Sequence, residues 1–312
     1  MSQTPSSPSL RIGTRASRLA RAQTFAVEAA LRSRYECPTE LVLIRTSGDR
    51  IQDRPLAELG GKGLFAKELE DALLAGRIDL AVHSMKDLPT RLPQGLAVIA
   101  TPAREDPADA FISNIAPRLE ELPIGARIGT SSVRRAAQIL RMRPDVEIVP
   151  LRGNVDTRLA RLDADDMDAI VLAVAGLKRL GLQERATLVL STDSWLPALA
   201  QGAIGIEMRE DDHRASVIED ALDDPGTAGA LACERAFQAA LDGSCRTPIA
   251  GLANVTANRL AFRGEVLAPD GSDSAATRVD VELGARPLET AAHAGREAGL
   301  LLRERARRWL VF

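Results

Sequence analysis

From residue 10 onward, apolar runs of strand length alternate with segments of helical period, and this alternation constrains the fold more than any single motif. It predicts strand Leu10–Gly13, helix Ala16–Arg34, strand Leu41–Arg45, helix Leu64–Leu74 and strand Ile78–Val82. Leu64, Phe65, Leu69, Leu73 and Leu74 are placed on one helix face, with Gly76 as the stop. After Pro102 and Pro107 a second series follows: strand Arg127–Gly129, helix Ser132–Arg141, strand Val146–Val149, helix Val155–Leu162, strand Ala169–Val174 and short helix Gly176–Leu180. Two such series predict two doubly wound α/β domains with a central cleft. Strand Ala203–Glu207 comes after both and is expected to cross back to the first domain.

From about residue 221 the pattern changes to an alanine-rich helix, Ala228–Leu241, alternating strands Arg259–Leu267 and Thr277–Leu283, and a final helix from Leu288 to Arg308. Helices bracketing short strands predict a small C-terminal α+β domain. The expected partition is 1–102 with 203–220 for domain 1, 103–202 for domain 2 and 221–312 for domain 3.

The 312 residues are 45% hydrophobic but include only six Phe, two Trp and one Tyr, so the cores must be aliphatic and base stacking on single-stranded nucleic acid is disfavoured. Net charge is -3, yet residues 127–161 hold eight Arg against Asp145, Glu147 and Asp156. Such a zone within a mildly acidic chain points to an anionic ligand held locally, with no nucleic-acid partner. Three cysteines, Cys37, Cys233 and Cys245, are odd in number and lack metal spacing, which fits free thiols in a reducing compartment. No leader of signal-peptide type opens the chain and no apolar run reaches membrane-spanning length, so a cytoplasmic protein with no membrane partner is expected, its first eight residues disordered.

The densest cluster of chemistry is IDLAVHSMKDLP, residues 78–89, where an apolar strand ends in His83, Ser84, Lys86 and Asp87. Ligands of α/β proteins sit beyond the carboxyl ends of strands. The chain has 36 Arg and only four Lys, so Lys86 is read as chosen for its compact ammonium. In GTSSVRR, Thr130, Ser131 and Ser132 stand at a strand-to-helix junction with Arg134 and Arg135 in the first turn. Cations are disfavoured at a helix N-terminus, so two there imply an anion that neutralises them; a plain cap with two solvated arginines is the alternative. In LRGNVDTRLARL, Arg152 is read as ending a strand, Asn154 as capping the next helix and Arg158 as lying one turn in.

Residues 46–63, TSGDRIQDRPLAELGGKG, read as a lid hinged at Lys62 or as a plain loop; GGKG lacks the spacing of a nucleotide phosphate loop. Arg15 and Ser17 in GTRASRLA add a weaker anion-holding pair. Cys245, in a loop beside Gly243, Ser244 and Arg246, is a better nucleophile candidate than Cys233 within a helix. The histidines, His83, His213 and His293, are scattered, and no acid or histidine cluster has metal spacing.

Taken in order, GTRASRLA, GGKGLFAKELE, AVHSMKDLPT, EDPADAF, GTSSVRR, LRGNVDTRL, AVAGLKRLGL, QGAIGIE and DGSCRTPIAG resemble the porphobilinogen deaminase (hydroxymethylbilane synthase) family from Leu10 to the C-terminus. One departure is Ser244, where the family commonly has a second glycine before the cysteine; a positive φ there would cost serine on the order of 1 kcal/mol.

The resemblance implies two doubly wound domains like type II periplasmic binding proteins, plus a third α+β domain carrying the cysteine. It implies a monomeric transferase that joins four porphobilinogen molecules head to tail, releasing ammonia and then hydroxymethylbilane. The primer would be a dipyrromethane cofactor held by a thioether to Cys245. Up to twelve carboxylates on six rings would account for the arginines, whose forked guanidinium groups suit carboxylates. By matched positions, Arg15, Ser17, Lys62, Ser84, Lys86, Thr130, Ser131, Arg134, Arg135, Arg152, Gly153, Arg158, Arg179 and Gln201 would hold cofactor and substrate. Asp87 would be the catalytic acid, stabilising positive charge on pyrrole nitrogen as ammonia leaves and the rings couple. A non-enzymatic two-domain anion-binding protein would share the cleft and helix-end sites but has no use for Cys245 or the third domain.

Overall fold

The computed structural model describes residues 9–35, 37–50, 63–241 and 247–310. The expected disorder of residues 1–8, the lid beyond Arg50 with Lys62, and the Cys245 loop with Ser244 all lie outside the described residues.

The chain begins with β1 (Leu10–Arg15), α1 (Arg18–Arg34), β2 (Thr39–Ile44), the single turn α2 (Ser47–Arg50), α3 (Lys67–Leu74), β3 (Leu80–Ser84) and β4 (Leu96–Ala100). It continues through β5 (Asp109–Ser113), β6 (Arg127–Gly129), α4 (Val133–Met142), β7 (Glu147–Val149), α5 (Val155–Asp163), β8 (Ala169–Ala173), α6 (Val174–Arg179) and β9 (Leu188–Val189). Then come β10 (Ile204–Arg209) and α7 (Ala215–Leu222), followed by α8 (Pro225–Leu241), β11 (Ile249–Thr256), β12 (Arg259–Leu267), β13 (Ser274–Glu282) and α9 (Pro287–Arg305).

Two units result, one of 1–51, 61–103 and 204–224, the other of 52–60, 104–203 and 225–312. In the first, the sheet order is β2-β1-β3-β10-β4; β1, β2 and β3 are parallel and β10 runs antiparallel between β3 and β4. In the second, the order β7-β6-β8-β5-β9 repeats this plan, with β5 as the inserted antiparallel strand. Helices lie on both faces of the first sheet: α1 and α7 pack Val27, Leu31 and Ile218 on Ile12, Leu80 and Ile206, while α3 packs Leu69 and Leu73 on Ile78 and Ala81. This is the doubly wound architecture expected, and β10 does cross back.

The second unit also contains the three-stranded antiparallel sheet β11-β12-β13, covered by α8 and α9. Phe237 and Phe262 meet edge to face at 4.9 Å in its core, each buried ring contributing roughly 1.5–3 kcal/mol. Arg104 joins this layer to the rest of the unit through the buried Glu234 carboxylate at 2.6 Å; Glu234 also accepts from the backbone of Ala253 at 2.8 Å.

Several expectations need correction. The third helix starts at Lys67, because Gly63, at φ +86°, closes a turn through Ala66 and Lys67; Phe65 therefore lies outside the helix and Leu74 is 49% exposed. The connection after β2 opens with the helical turn α2, whose Ser47 backbone N–H is held by Glu68 at 2.8 Å. Arg152 lies three residues beyond β7, and Asn154 stands at the start of α5 without a side-chain cap. Strands β4, β5, β9 and β11 and helix α7 are elements the alternation pattern did not reveal.

Candidate functional site

In the first unit, β1 and β3 are parallel neighbours, so Arg15 and Ser84 emerge at the same sheet edge. Ser17 caps α1, its hydroxyl accepting from the Ala20 N–H at 3.2 Å. The Arg15 guanidinium pairs with Asp49 and lies 4.2 Å from the centroid of the Phe65 ring, which fixes its direction. Burial opposes ionisation of Asp49, but the hydrogen bond and charge of Arg15 outweigh it and hold the carboxyl below the ordinary range. After Ser84 the chain makes one tight turn, Met85–Asp87: Met85 is buried, while Lys86 and Asp87 are exposed.

Arg15, Gln23, Phe65, His83, Ser84 and Asp87 line one open recess. Gln23, on α1, donates to the Ser84 hydroxyl at 2.9 Å, and His83 bonds Glu207 behind the recess at 2.9 Å.

In the second unit, the antiparallel direction of β5 sets Asp109, its first residue, beside Ala173 at the carboxyl end of β8. There it meets the start of α4. Gly129 permits the close packing beneath: a Cβ at that position would come within 2.2 Å of the Met167 sulfur. Ser132 caps α4 and Thr130 accepts from the Ser132 N–H at 3.1 Å, whereas the Ser131 hydroxyl accepts from the Leu151 N–H, also at 3.1 Å.

Arg134 and Arg135 are both buried and share Asp109, at 2.8 and 2.6 Å. Trp195 Nε1 and Gln201 Nε2 donate to the same carboxylate, each at 2.9 Å. The solvated-arginine reading is thereby excluded, and the anion inferred at this helix end is in the first place Asp109 itself. Burial alone would raise the Asp109 pKa; the two arginines reverse that and hold it far below the carboxylate range. Burial lowers that of Arg134, the more enclosed guanidinium.

Three donors in this unit remain unspent: Arg134 Nε, Arg135 Nε and Arg152 Nη1 are buried without a hydrogen-bond partner among the described residues. Arg158 Nε donates to the carbonyl of Gly153 at 2.8 Å; Gly153 sits at φ +106°, a conformation that favours glycine. Arg179 donates to the Gly202 carbonyl at 2.6 Å, and burial lowers its pKa.

The structure thus gathers Arg15, Ser84 and Asp87 at one sheet edge and Arg134, Arg135 and Gln201 around Asp109. Lys62 and Cys245 are outside the described residues. Gln23, Asp49, Asp109 and Trp195 complete these clusters without having been singled out in the sequence, and Phe65, read there only as a helix-face residue, joins them. Asp109 lies within EDPADAF, but no local spacing connects it to Arg134, 25 positions on.

Arginines with unspent donors, hydroxyls at helix starts and an exposed acid beyond a strand end make an α/β protein suited to anionic ligands. Residues 10–217 match the family described as porphobilinogen deaminase, dipyromethane cofactor binding domain, and residues 229–304 match the porphobilinogen deaminase C-terminal domain. The chain belongs to the porphobilinogen deaminase family, and it carries that family's dipyrromethane-binding domain.

Among similar proteins, the porphobilinogen deaminase of Nitrobacter hamburgensis is 53% identical over 95% of this chain and 93% of its own length. That of Nitrobacter winogradskyi is 51% identical over the same shares. A periplasmic substrate-binding protein of an ABC transporter from Coxiella burnetii aligns with a TM-score of 0.45 and 18% identity, over 70% of this chain and 93% of that one.

Proposed function

We propose that this protein joins four porphobilinogen molecules head to tail with release of ammonia, on a dipyrromethane primer held through a thioether to Cys245, and releases hydroxymethylbilane. The observation that carries the reading is the placement of Asp87: an exposed carboxylate in a recess that also presents Arg15, Gln23 and Ser84. Arg15 holds a substrate carboxylate there, with Ser17 and Lys86 serving the same edge, and Lys62 is assigned a carboxylate-binding role as well. Asp87 accepts hydrogen bonds from pyrrole N–H and stabilises the positive charge that develops on that nitrogen when ammonia departs. A carboxylate so placed can also take up and pass on a proton.

The second unit fits a cofactor bearing carboxylates. Its buried donors on Arg134, Arg135 and Arg152 lack acceptors, and unpaired buried donors are costly unless a ligand satisfies them. Those arginines, with Thr130, Ser131, Gly153, Arg158, Arg179 and Gln201, would hold the cofactor and the rings added to it. When bound, the cofactor supplies a nucleophilic ring carbon to which the first substrate attaches. We extend the reading to the three domains 1–102 with 203–220, 103–202 and 221–312, to a monomer, and to a cytoplasmic location, the last supported by an odd number of cysteines without metal spacing. No helix among the described residues is long and apolar enough to cross a membrane.

Incubation of the purified protein with porphobilinogen tests the proposal. Four ammonia molecules per hydroxymethylbilane released are expected; unchanged porphobilinogen would refute it.

A further inference from the structure

Behind the recess lie three ionisable side chains that the proposed chemistry does not use. His83, Glu207 and Glu70 are each almost wholly buried, at 5%, 0% and 6% exposure. His83 pairs with Gly205 and Ala81 with Glu207 in the antiparallel ladder of β3 and β10, so His83 and Glu207 are diagonal neighbours on one sheet face. That is the face covered by α3, from which Glu70 points inward. Glu207 Oε2 meets His83 Nε2 at 2.9 Å, but Glu207 Oε1 and Glu70 Oε1 are buried without a hydrogen-bond partner among the described residues.

Two buried carboxylates cannot both be balanced by one imidazole. A neutral Glu70 removes one of the two buried negative charges that would otherwise share a single imidazole partner. The surrounding charges do not change this count. On α3 itself Asp71 adds negative charge. Of the strands against α3, β4 has no titratable side chain, and β1 brings Arg11 and Arg15, committed to Asp79 and Asp49. On β10, Arg209 is held by Asp212 and by the carbonyls of Leu73 and Ile78. Burial first, then the like charge of Glu207, push the Glu70 carboxyl up to about 7, with His83 opposing.

We propose that Glu70, His83 and Glu207 form a buried charge-coupled triad that sets the charge beside the Asp87 recess and acts as a positioning device for it. His83 lines the recess, and β3 runs from it directly into the turn bearing Asp87. The Met85 of that turn sits against Gly205, the residue opposite His83. Release of a proton from Glu70 to solvent adds one negative charge to the triad. On the function proposed above, on which this consequence rests, that charge favours the cationic pyrrole facing Asp87, so turnover rises as Glu70 ionises.

The test uses full-length holo-protein labelled with carbon-13 at the carboxyl carbons of glutamate and aspartate, titrated by NMR. One glutamate signal should titrate with a midpoint near 7 and vanish in Glu70→Gln. The Glu207 signal, identified through Glu207→Gln, and the Asp87 signal, identified through Asp87→Asn, should inflect at the same midpoint, and both inflections should be lost in Glu70→Gln. The rise of kcat/KM for porphobilinogen between pH 6 and 8 should be roughly threefold or more greater in wild type than in Glu70→Gln. Glutamate signals that all titrate in the ordinary carboxylate range, or a Glu207 or Asp87 signal blind to Glu70, overturn the triad, and the wild-type spectra alone decide the first point if a variant fails to fold. Coupled inflections in a protein that never consumes porphobilinogen would leave the triad standing and remove the deaminase reading instead.

Discussion

Asp109 is the residue on which the arginine cluster of the second unit depends, and Asp109→Asn isolates its charge. The carboxylate is fully buried and accepts from Arg134, Arg135, Trp195 and Gln201 at 2.6–2.9 Å. Asparagine keeps the shape and one acceptor oxygen, but leaves two buried guanidinium groups without a counter-charge and turns an amide NH₂ toward donors. Removing one partner of a buried ion pair costs about 3–5 kcal/mol, and sharing between two arginines puts this case toward the upper end. At roughly 2–4 °C per kcal/mol for a unit of this size, the melting temperature should fall by about 6–20 °C.

The exposed pair of Asp273 and Arg308 provides the control: Asp273→Asn should cost less than about 1 kcal/mol. The acid side supplies a second reading. Because the folded Asp109 carboxyl lies far below its unfolded value near 3.9, its stabilisation is complete above about pH 4 and drains away as pH falls further. The gap between wild type and Asp109→Asn should therefore narrow below pH 4. Calorimetry of both proteins from pH 3 to pH 8 is the assay. An Asp109→Asn melting temperature within 2 °C of wild type at pH 7 would refute the assignment of Asp109 as the anion under the two arginines.

Four further outcomes are expected. Asp87→Asn should lower single-turnover ammonia release by about a hundredfold to a thousandfold, with Asp87→Glu retaining more, because the proposed mechanism uses the negative charge at that recess. Cys245→Ser should give folded protein without a pyrrole adduct by mass spectrometry, whereas Cys233→Ser should keep it, since burial pushes the Cys233 thiol up to about 12 and leaves it unreactive. Arg158→Leu, at a partly exposed position, should stall chain elongation, seen as trapped intermediates on native gels; Arg134→Leu should block cofactor assembly and also destabilise the unit. Glu70→Gln should stabilise the protein by about 3–4 kcal/mol at pH 8 and not at pH 4, read by chemical denaturation: a carboxyl raised to about 7 stabilises the fold below its unfolded value and loses that contribution as pH climbs to 7.

The parts of the molecule that local pattern encodes were legible in the sequence. The β3 run ending at His83 and Ser84, the Ser132 start of α4 and the whole of β12 follow from periodicity and capping chemistry. Strand β5 was not legible: five residues shortly after Pro107 carry no alternation, and both its partners, β8 and β9, lie more than fifty residues away. With β5 went Asp109, and with Asp109 the reason two arginines tolerate a helix start. The Glu70, His83 and Glu207 cluster was hidden for the same reason. Glu70 reads as one more acid in an amphipathic helix, and only the return of β10 beside β3 places a second carboxylate near it.

On the function proposed above, this chain builds its product on a primer it holds covalently. Intact-protein mass spectrometry of protein purified from a host that makes porphobilinogen measures this directly. The account predicts the mass of the bare chain plus two pyrrole units, with peptide mapping placing the addition on Cys245, and further increments of one pyrrole unit on brief exposure to porphobilinogen. A mass equal to the bare chain, unchanged by porphobilinogen, would contradict it.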